Sequence, residues 1–282
     1  MRARTHVRQS RGRNRRWWLG MLALIAGGLA PSLAALAGGT VERHQTYAAS
    51  RLSVAGLAGS LRVEHKDGTG IRLVLRGSAK ALNRLHREVR GDELQLTAEP
   101  GASGTTTVVS GANNIVIARD GAQATQIIGG SVTRAGGEAE PPLEVVAYVP
   151  TGTPLTLTGL VGDVVVQGVG GPVDLELIAG QAKLDRATGG SLAAVAGSRI
   201  ELAEATGDLK VAVQGAGDVR ITHADLGHLD VGVSGTGNVA VGGVADQASV
   251  QIAGVGGVRI DKVVKRPEVS VTGIGQVDIG NW

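Results

Sequence analysis

The sequence predicts an all-β fold, a β-helix or closely related β-solenoid with coils of about 19 residues, carrying one short helix near residues 79–90. Three observations predict it. An eleven-residue phrase of alternating aliphatics around Gly-x-Gly occurs four times, as VAVQGAGDVRI (211–221), VGVSGTGNVAV (231–241), VQIAGVGGVRI (250–260) and VSVTGIGQVDI (269–279). The second glycine of each phrase falls at 217, 237, 256 and 275, which is a solenoid spacing and too short for a strand-helix-strand crossover. Glycine supplies 45 of 282 residues and Phe none, so backbone corners are plentiful and the core must be aliphatic.

Residues 1–37 read as a signal peptide. Arg2, Arg4, Arg8, Arg11, Arg13, Arg15 and Arg16 form a basic stretch, WWLGMLALIAGGLA is apolar but short for a membrane span, and Ala35-Leu36-Ala37 suits cleavage before Gly38. An uncleaved anchor is the competing reading, and Arg15-Arg16 fits a twin-arginine signal as well as ordinary secretion. Without the seven arginines, 21 Lys and Arg remain against 25 Asp and Glu, a net charge of −4. A mildly acidic mature chain without basic stripes is no nucleic-acid binder, and no membrane span is expected in it. With no Cys, disulfides, thiolate metal sites and a lipidated cysteine are all excluded.

Residues 38–99 form an N-terminal β segment. LSVAGLAGSLRV (52–63) echoes the repeated phrase, and IRLVLRG (71–77) and ELQL (93–96) read as strands. Between them Ser78 is an N-cap, Leu82, Leu85 and Val89 share a helical face, and Gly91 ends the helix. Residues 100–142 read as a Gly/Ser/Thr-rich insertion loop with a hairpin at 115–128 around Asp120-Gly121.

Residues 143–282 hold the repeats, with weaker copies at 155–166, 175–184 and 193–202 whose glycines are taken as Gly159, Gly180 and Gly197. The structural turn residues are Gly215, Gly217, Gly235, Gly237, Gly254, Gly256, Gly273 and Gly275, placed where a corner excludes branched side chains. Each coil buries its aliphatics only against its neighbours, so identical coils stack best. Leu226 or Leu229, Val244, and Val263 or Val264 supply the remaining core contact of each coil. An antiparallel meander sandwich is the structural alternative.

An export signal, LSVAGLAGSLRV, a helix followed by GDELQL, the strand LEVVAYVP (143–150) and serial SGxGxV phrases together resemble the putative auto-transporter adhesin head GIN domain family. The resemblance covers most of the mature chain and implies an exported envelope β-solenoid without assigned catalytic residues. The family name implies adhesion.

Chemistry within the repeats is sparse. Asp163, Asp208 and Asp218 follow turn glycines as calcium ligands do in some β-helices, yet Asn238, Gly257 and Gln276 take that place in the last three coils. No Gly-x-Gly opens a helix, so a dinucleotide fingerprint fails. His223 and His228 flank one turn without further ligands, and Glu201 and Arg220 face each other across adjacent coils. No catalytic, metal or cofactor residue is assigned and no cofactor is expected. The candidate surface face is the outward row Ala212, Gly232, Gln251 and Ser270, small and flat enough for another surface to approach. The expected function is a non-catalytic, adhesin-like binding or scaffold protein of the cell envelope. Its expected partner is an envelope or extracellular protein or polysaccharide, with self-association through terminal coils as a further expectation. A β-helical polysaccharide lyase or hydrolase is the alternative, disfavoured by the scarcity of aromatic rings.

Overall fold

The computed structural model describes residues 33–35, 40–99, 107–111, 114–119, 123–128, 131–135 and 142–281. The expected export segment otherwise lies outside the described residues. In chain order the elements are β1 (Leu33–Ala35), β2 (Thr40–Tyr47), β3 (Arg51–Ala55), β4 (Ala58–His65), β5 (Ile71–Ser78), α1 (Ala79–Asn83), β6 (Leu85–Arg90), β7 (Glu93–Ala98), β8 (Thr107–Gly111), β9 (Asn114–Arg119), β10 (Gln123–Ile128), β11 (Ser131–Ala135), β12 (Glu144–Val149), β13 (Leu155–Gln167), β14 (Val173–Ala194), β15 (Ser198–Val263) and β16 (Glu268–Asn281). The fold is all-β with one short helix.

From Leu155 onward the pairing between successive strands is parallel, which an antiparallel meander does not provide. Leu155 lies beside Val173, Gly180 beside Ser198, and Val250 beside Val269, so each segment pairs with the one 18 to 20 residues further on. A register shift between Thr188 and Gly190 takes up one residue of that difference as a bulge. Strict alternation fills the interior: Val211, Val213, Val219 and Ile221 are buried, as are Val231, Val233, Val239 and Val241. Each such side chain contributes about 1.5–3 kcal/mol by leaving water, provided that the neighbouring level presents an aliphatic at the same place. Leu226, Leu229 and Val263 join this core as expected, whereas Val264 faces solvent and Ala245 takes the core place beside Val244.

The N-terminal segment joins the same sheet. β4 pairs in parallel with both β12 and β13, β12 pairs antiparallel with β5, and β5 with β2. One apolar cluster runs from Ala49 to Val263 across both parts.

Two expectations are corrected. The helix does not span 79–90: Ser78 caps it as predicted, its Oγ accepting from the Ala81 N–H at 3.1 Å, but it ends at Asn83. Leu85–Arg90 is strand β6, paired antiparallel with β7, and Gly91 at φ +64° turns the chain between them. Cross-strand pairing and burial of Leu85 outweigh the weak helical pattern, and Val89 ends up exposed. The segment 100–142 is also not a plain loop, because β8 to β11 form a four-stranded antiparallel meander. The expected hairpin is there in the pairing of Arg119 with Gln123, with its Asp120-Gly121 turn outside the described residues.

Candidate functional site

The repeated glycines occupy inward positions of the alternation, the first three pairs on β15 and the fourth on β16. Within each pair the two glycines do different work. Gly215 has φ +100° and Gly273 φ +135°, whereas Gly217, Gly237, Gly256 and Gly275 do not enter the positive region. Those four are required by close approach instead: a Cβ on Gly237 would meet the Gly217 carbonyl oxygen, and one on Gly256 the Gly237 carbonyl oxygen. On Gly275 it would lie 2.8 Å from the Ile252 Cγ2. A Cβ on Gly235 or Gly254 collides with backbone of the preceding level in the same way.

The column below them differs from the one read in the sequence. Gly59, Gly162, Gly180 and Ser198 lie side by side, and Gly217 rests on Ser198, so Gly162 and Ser198 replace Gly159 and Gly197. Counted this way every step of the column from Gly162 onward is 18 to 20 residues. Ser198 is the one polar member, buried with its Oγ lacking a hydrogen-bond partner.

On the outer surface Ala212 and Gly232 are half-buried while Gln251 and Ser270 are exposed, with Gln251 beside Ser270 and Ala193 beside Ala212. A Cβ on Gly232 would meet nothing within 4 Å. Charges on neighbouring levels pair: Arg186 with Glu204 at 2.8 Å, Lys210 with Asp230 at 3.7 Å, Arg259 with Asp278 at 3.9 Å. Glu201 and Arg220 form no ion pair; Arg199 reaches Asp218 at 3.9 Å instead. Asp208 accepts the His228 backbone N–H at 2.9 Å and Asp218 accepts from Asn238 at 3.3 Å, so both carboxylates bind the next level. Asp163 and His223 are exposed, and among the described residues no group of three His, Asp or Glu is placed to hold a metal ion.

The densest chemistry lies elsewhere, on the outer face of the sheet β2–β5–β12–β4. Strand alternation brings His44, Val74 and Val146 into one cross-strand row, with Arg76 and Glu144 on one side and Arg72 and Tyr148 on the other. Val74 and Val146 form the apolar floor of an open hollow of about 370 Å³, rimmed by His44, His65, Lys66, Arg72, Arg76 and Tyr148. Lys66 Nζ lies 5.7 Å and the Arg72 guanidinium carbon 6.0 Å from the centre of the Tyr148 ring, both within cation-π range.

The charges at this hollow fall into two groups. Arg76 is bound by Glu42 at 3.2 Å and Glu144 at 3.5 Å. The Arg76 hydrogen bond holds the Glu42 carboxyl below its ordinary range, with His44 adding to the effect. His44 Nε2 lies 2.7 Å from Glu42 Oε1 and its Nδ1 lies 3.4 Å from Arg72 Nη2. Arg can only donate, so His44 Nδ1 is the accepting atom of this contact. Arg72 thus faces an imidazole rather than a carboxylate. Among the described residues neither Lys66 nor Arg72 has a carboxylate within ion-pair distance, so two cations without a counter-charge lie against one aromatic ring.

None of these residues was singled out from the sequence. Alternation in IRLVLRG and LEVVAYVP puts Arg72 and Tyr148 on outward positions, but the pairing of two strands 70 residues apart has no local signal.

Residues 188–281 match the sequence model of the family described as putative auto-transporter adhesin, head GIN domain, which bears out the resemblance. A crystal structure of a putative adhesin from Bacteroides fragilis is similar to this chain with a TM-score of 0.58 at 14% identity, covering 85% of this chain and 96% of that one. A putative adhesin from Parabacteroides merdae gives a TM-score of 0.42 at 10% identity over 86% and 97% of the two chains. A putative lipid binding protein from Parabacteroides distasonis gives 0.41 at 14% identity over 87% and 98%. The likeness to the Bacteroides fragilis structure concerns the fold. No curated protein matches the chain.

Proposed function

We propose that this protein is an exported, non-catalytic, adhesin-like binding protein of the bacterial cell envelope, a β-solenoid with coils of about 19 residues that holds an anion-binding platform at its N-terminal sheet. The parallel registers and the stacked glycine column support the solenoid. The family match supports an exported, adhesin-like role.

The observation that carries the binding reading is the pair of cations, Lys66 and Arg72, held against Tyr148 without a carboxylate partner. Neither cation has a carboxylate to satisfy it, and a carboxylate, sulfate or phosphate at the hollow would supply that counter-charge. The tyrosine edge and the Val74–Val146 floor offer apolar surface beside the charge, which suits a sugar ring bearing the anion. The ligand class is therefore an anionic polysaccharide. Binding suits this hollow better than catalysis does, because Glu42 and Glu144 are engaged by Arg76 and Glu42 is held ionised, so neither is poised as a proton donor.

The test is titration of the chain with polygalacturonate and with neutral dextran. Polygalacturonate binds, dextran does not, and the affinity falls with salt. Lys66→Glu with Arg72→Glu weakens binding at least about tenfold, in line with loss of charge-assisted hydrogen bonds. Equal binding of dextran, or an unchanged affinity in the double variant, overturns the reading.

A further inference from the structure

Strand β16 pairs with β15 on one side and with no described residue on the other. Its aliphatics occupy the places that are sealed one level earlier. Val250 and Ile252 are 0% and 1% exposed, whereas Val269 and Val271, registered beside them, are 47% and 42% exposed. Val277 and Ile279, beside the fully buried Val258 and Ile260, are only half-buried, and Ile274 stands 79% exposed. From Val269 to Asn281 the only charged residue is Asp278, and there is no Lys or Pro to deter strand addition. The free edge of β6 is different: His86, Arg87, Glu88 and Arg90 crowd it with charge.

We infer that β16 is completed by β16 of a second copy, in an antiparallel, tail-to-tail dimer whose twofold axis passes through Ile274. The sequence is self-complementary about that residue. Reading outward from Ile274 in both directions, Gly273 answers Gly275, Thr272 answers Gln276, Val271 answers Val277, Ser270 answers Asp278 and Val269 answers Ile279. Flipping one copy onto the other therefore lays Val269 over Ile279 of the partner subunit and Val271 over Val277 of the partner subunit, all four on the core side. Asp278 meets a serine hydroxyl, and no like charges face each other. Gly273 and Gly275 exchange places under the twofold, so no Cβ stands beside Ile274 on either strand.

The symmetry also fixes the outcome. A twofold contact uses the same patch on both copies and closes at two, so it yields a dimer and not a fibre. The dimer carries two Tyr148 platforms, which raises avidity for a polymeric ligand without any new contact. The dimer stands on the edge geometry and is independent of what the platform binds.

The experiment is sedimentation of the purified chain over a concentration series, with Ile274→Arg as the variant. Ile274 points outward, so the variant folds with an unchanged circular dichroism spectrum and urea midpoint, while two guanidinium groups meet on the axis and the chain sediments as a monomer. Register is read by cysteine cross-linking, which is clean because the chain has no Cys. Opposed Cα atoms in an antiparallel pair lie about 4.5–5.5 Å apart, within disulfide range. Ile274→Cys oxidises to a covalent dimer on its own. Thr272→Cys does so only when mixed with Gln276→Cys. A monomeric wild type, a ladder of higher oligomers, or Thr272→Cys cross-linking by itself as well as Ile274→Cys does would overturn the inference.

Discussion

Replacing Gly237 by alanine isolates the steric requirement of the stacked column, because its φ lies outside the left-handed region and adds no backbone strain. The new Cβ would press on the Gly217 carbonyl oxygen and lie 2.8 Å from Val213 Cγ1. Carbon atoms pack best at about 3.5–4.0 Å, so roughly one ångström must be found in two directions. Neighbouring levels are fixed at about 4.8 Å by their hydrogen bonds and cannot part without losing several of them. Overpacking of this kind costs about 1–3 kcal/mol. The control is Gly232→Ala, also outside the left-handed region, where the Cβ meets open space. There the substitution should be neutral or stabilising by up to about 1 kcal/mol, through a less flexible unfolded chain. Urea midpoints and hydrogen exchange at residues 213–217 report the difference. If the two alanine variants fall within about 0.5 kcal/mol of each other, close stacking is not why glycine stands at 237.

Acid titration tests the Glu42–Arg76 pair. The folded-state carboxyl is held below its ordinary value near 4.5, so the stabilisation is complete above that value and is lost as pH falls through the folded one. Glu42→Gln should flatten the acid limb of the thermal midpoint against pH while costing at most about 1 kcal/mol at neutral pH; an unchanged acid limb refutes the pairing. Ser198→Ala removes a buried hydroxyl without a partner and should raise stability by about 1 kcal/mol, read from the urea midpoint, and a fall contradicts the assignment. Ser78→Ala removes the cap of α1 and should cost about 1 kcal/mol, with faster exchange of the Ala81 amide.

Which features were legible follows from how local their causes are. Alternation and the glycine spacing write the interior of β13–β16 directly, because every inward position is repeated and every neighbour presents the same shape. The phase of the weaker repeats was not legible: LTLTGLVGDVVV holds both Gly159 and Gly162, and only pairing with Gly59 and Gly180 selects the second. The same gap explains Ser198, which follows Gly197 in the chain yet fills the glycine column. The helix near Ser78 was half right for a related reason. Capping is a property of four residues and was visible, whereas the strand at Leu85–Arg90 depends on β7, and a sequence pattern does not price a distant partner.

The placement of the charged platform follows from the stacking rule itself. In a parallel column each outward residue has neighbours at its own height about 4.8 Å above and below, so an isolated cation repeated through the levels would repel its copies. The repeats answer with opposite signs, Arg186 over Glu204, Lys210 over Asp230 and Arg259 over Asp278, so each of these cations already has its counter-charge. At the N-terminal sheet the constraint lapses. β5 runs antiparallel to β2 and β12, its neighbours differ in sequence, and the carboxylates Glu42 and Glu144 gather on Arg76. That concentration strips Arg72 of a counter-charge, and Lys66, just beyond the end of β4, folds over Tyr148 without one. Chemistry therefore gathers where the repeat is broken, and moving a bare cation pair into the β15 column would cost stability with each level over which it was copied.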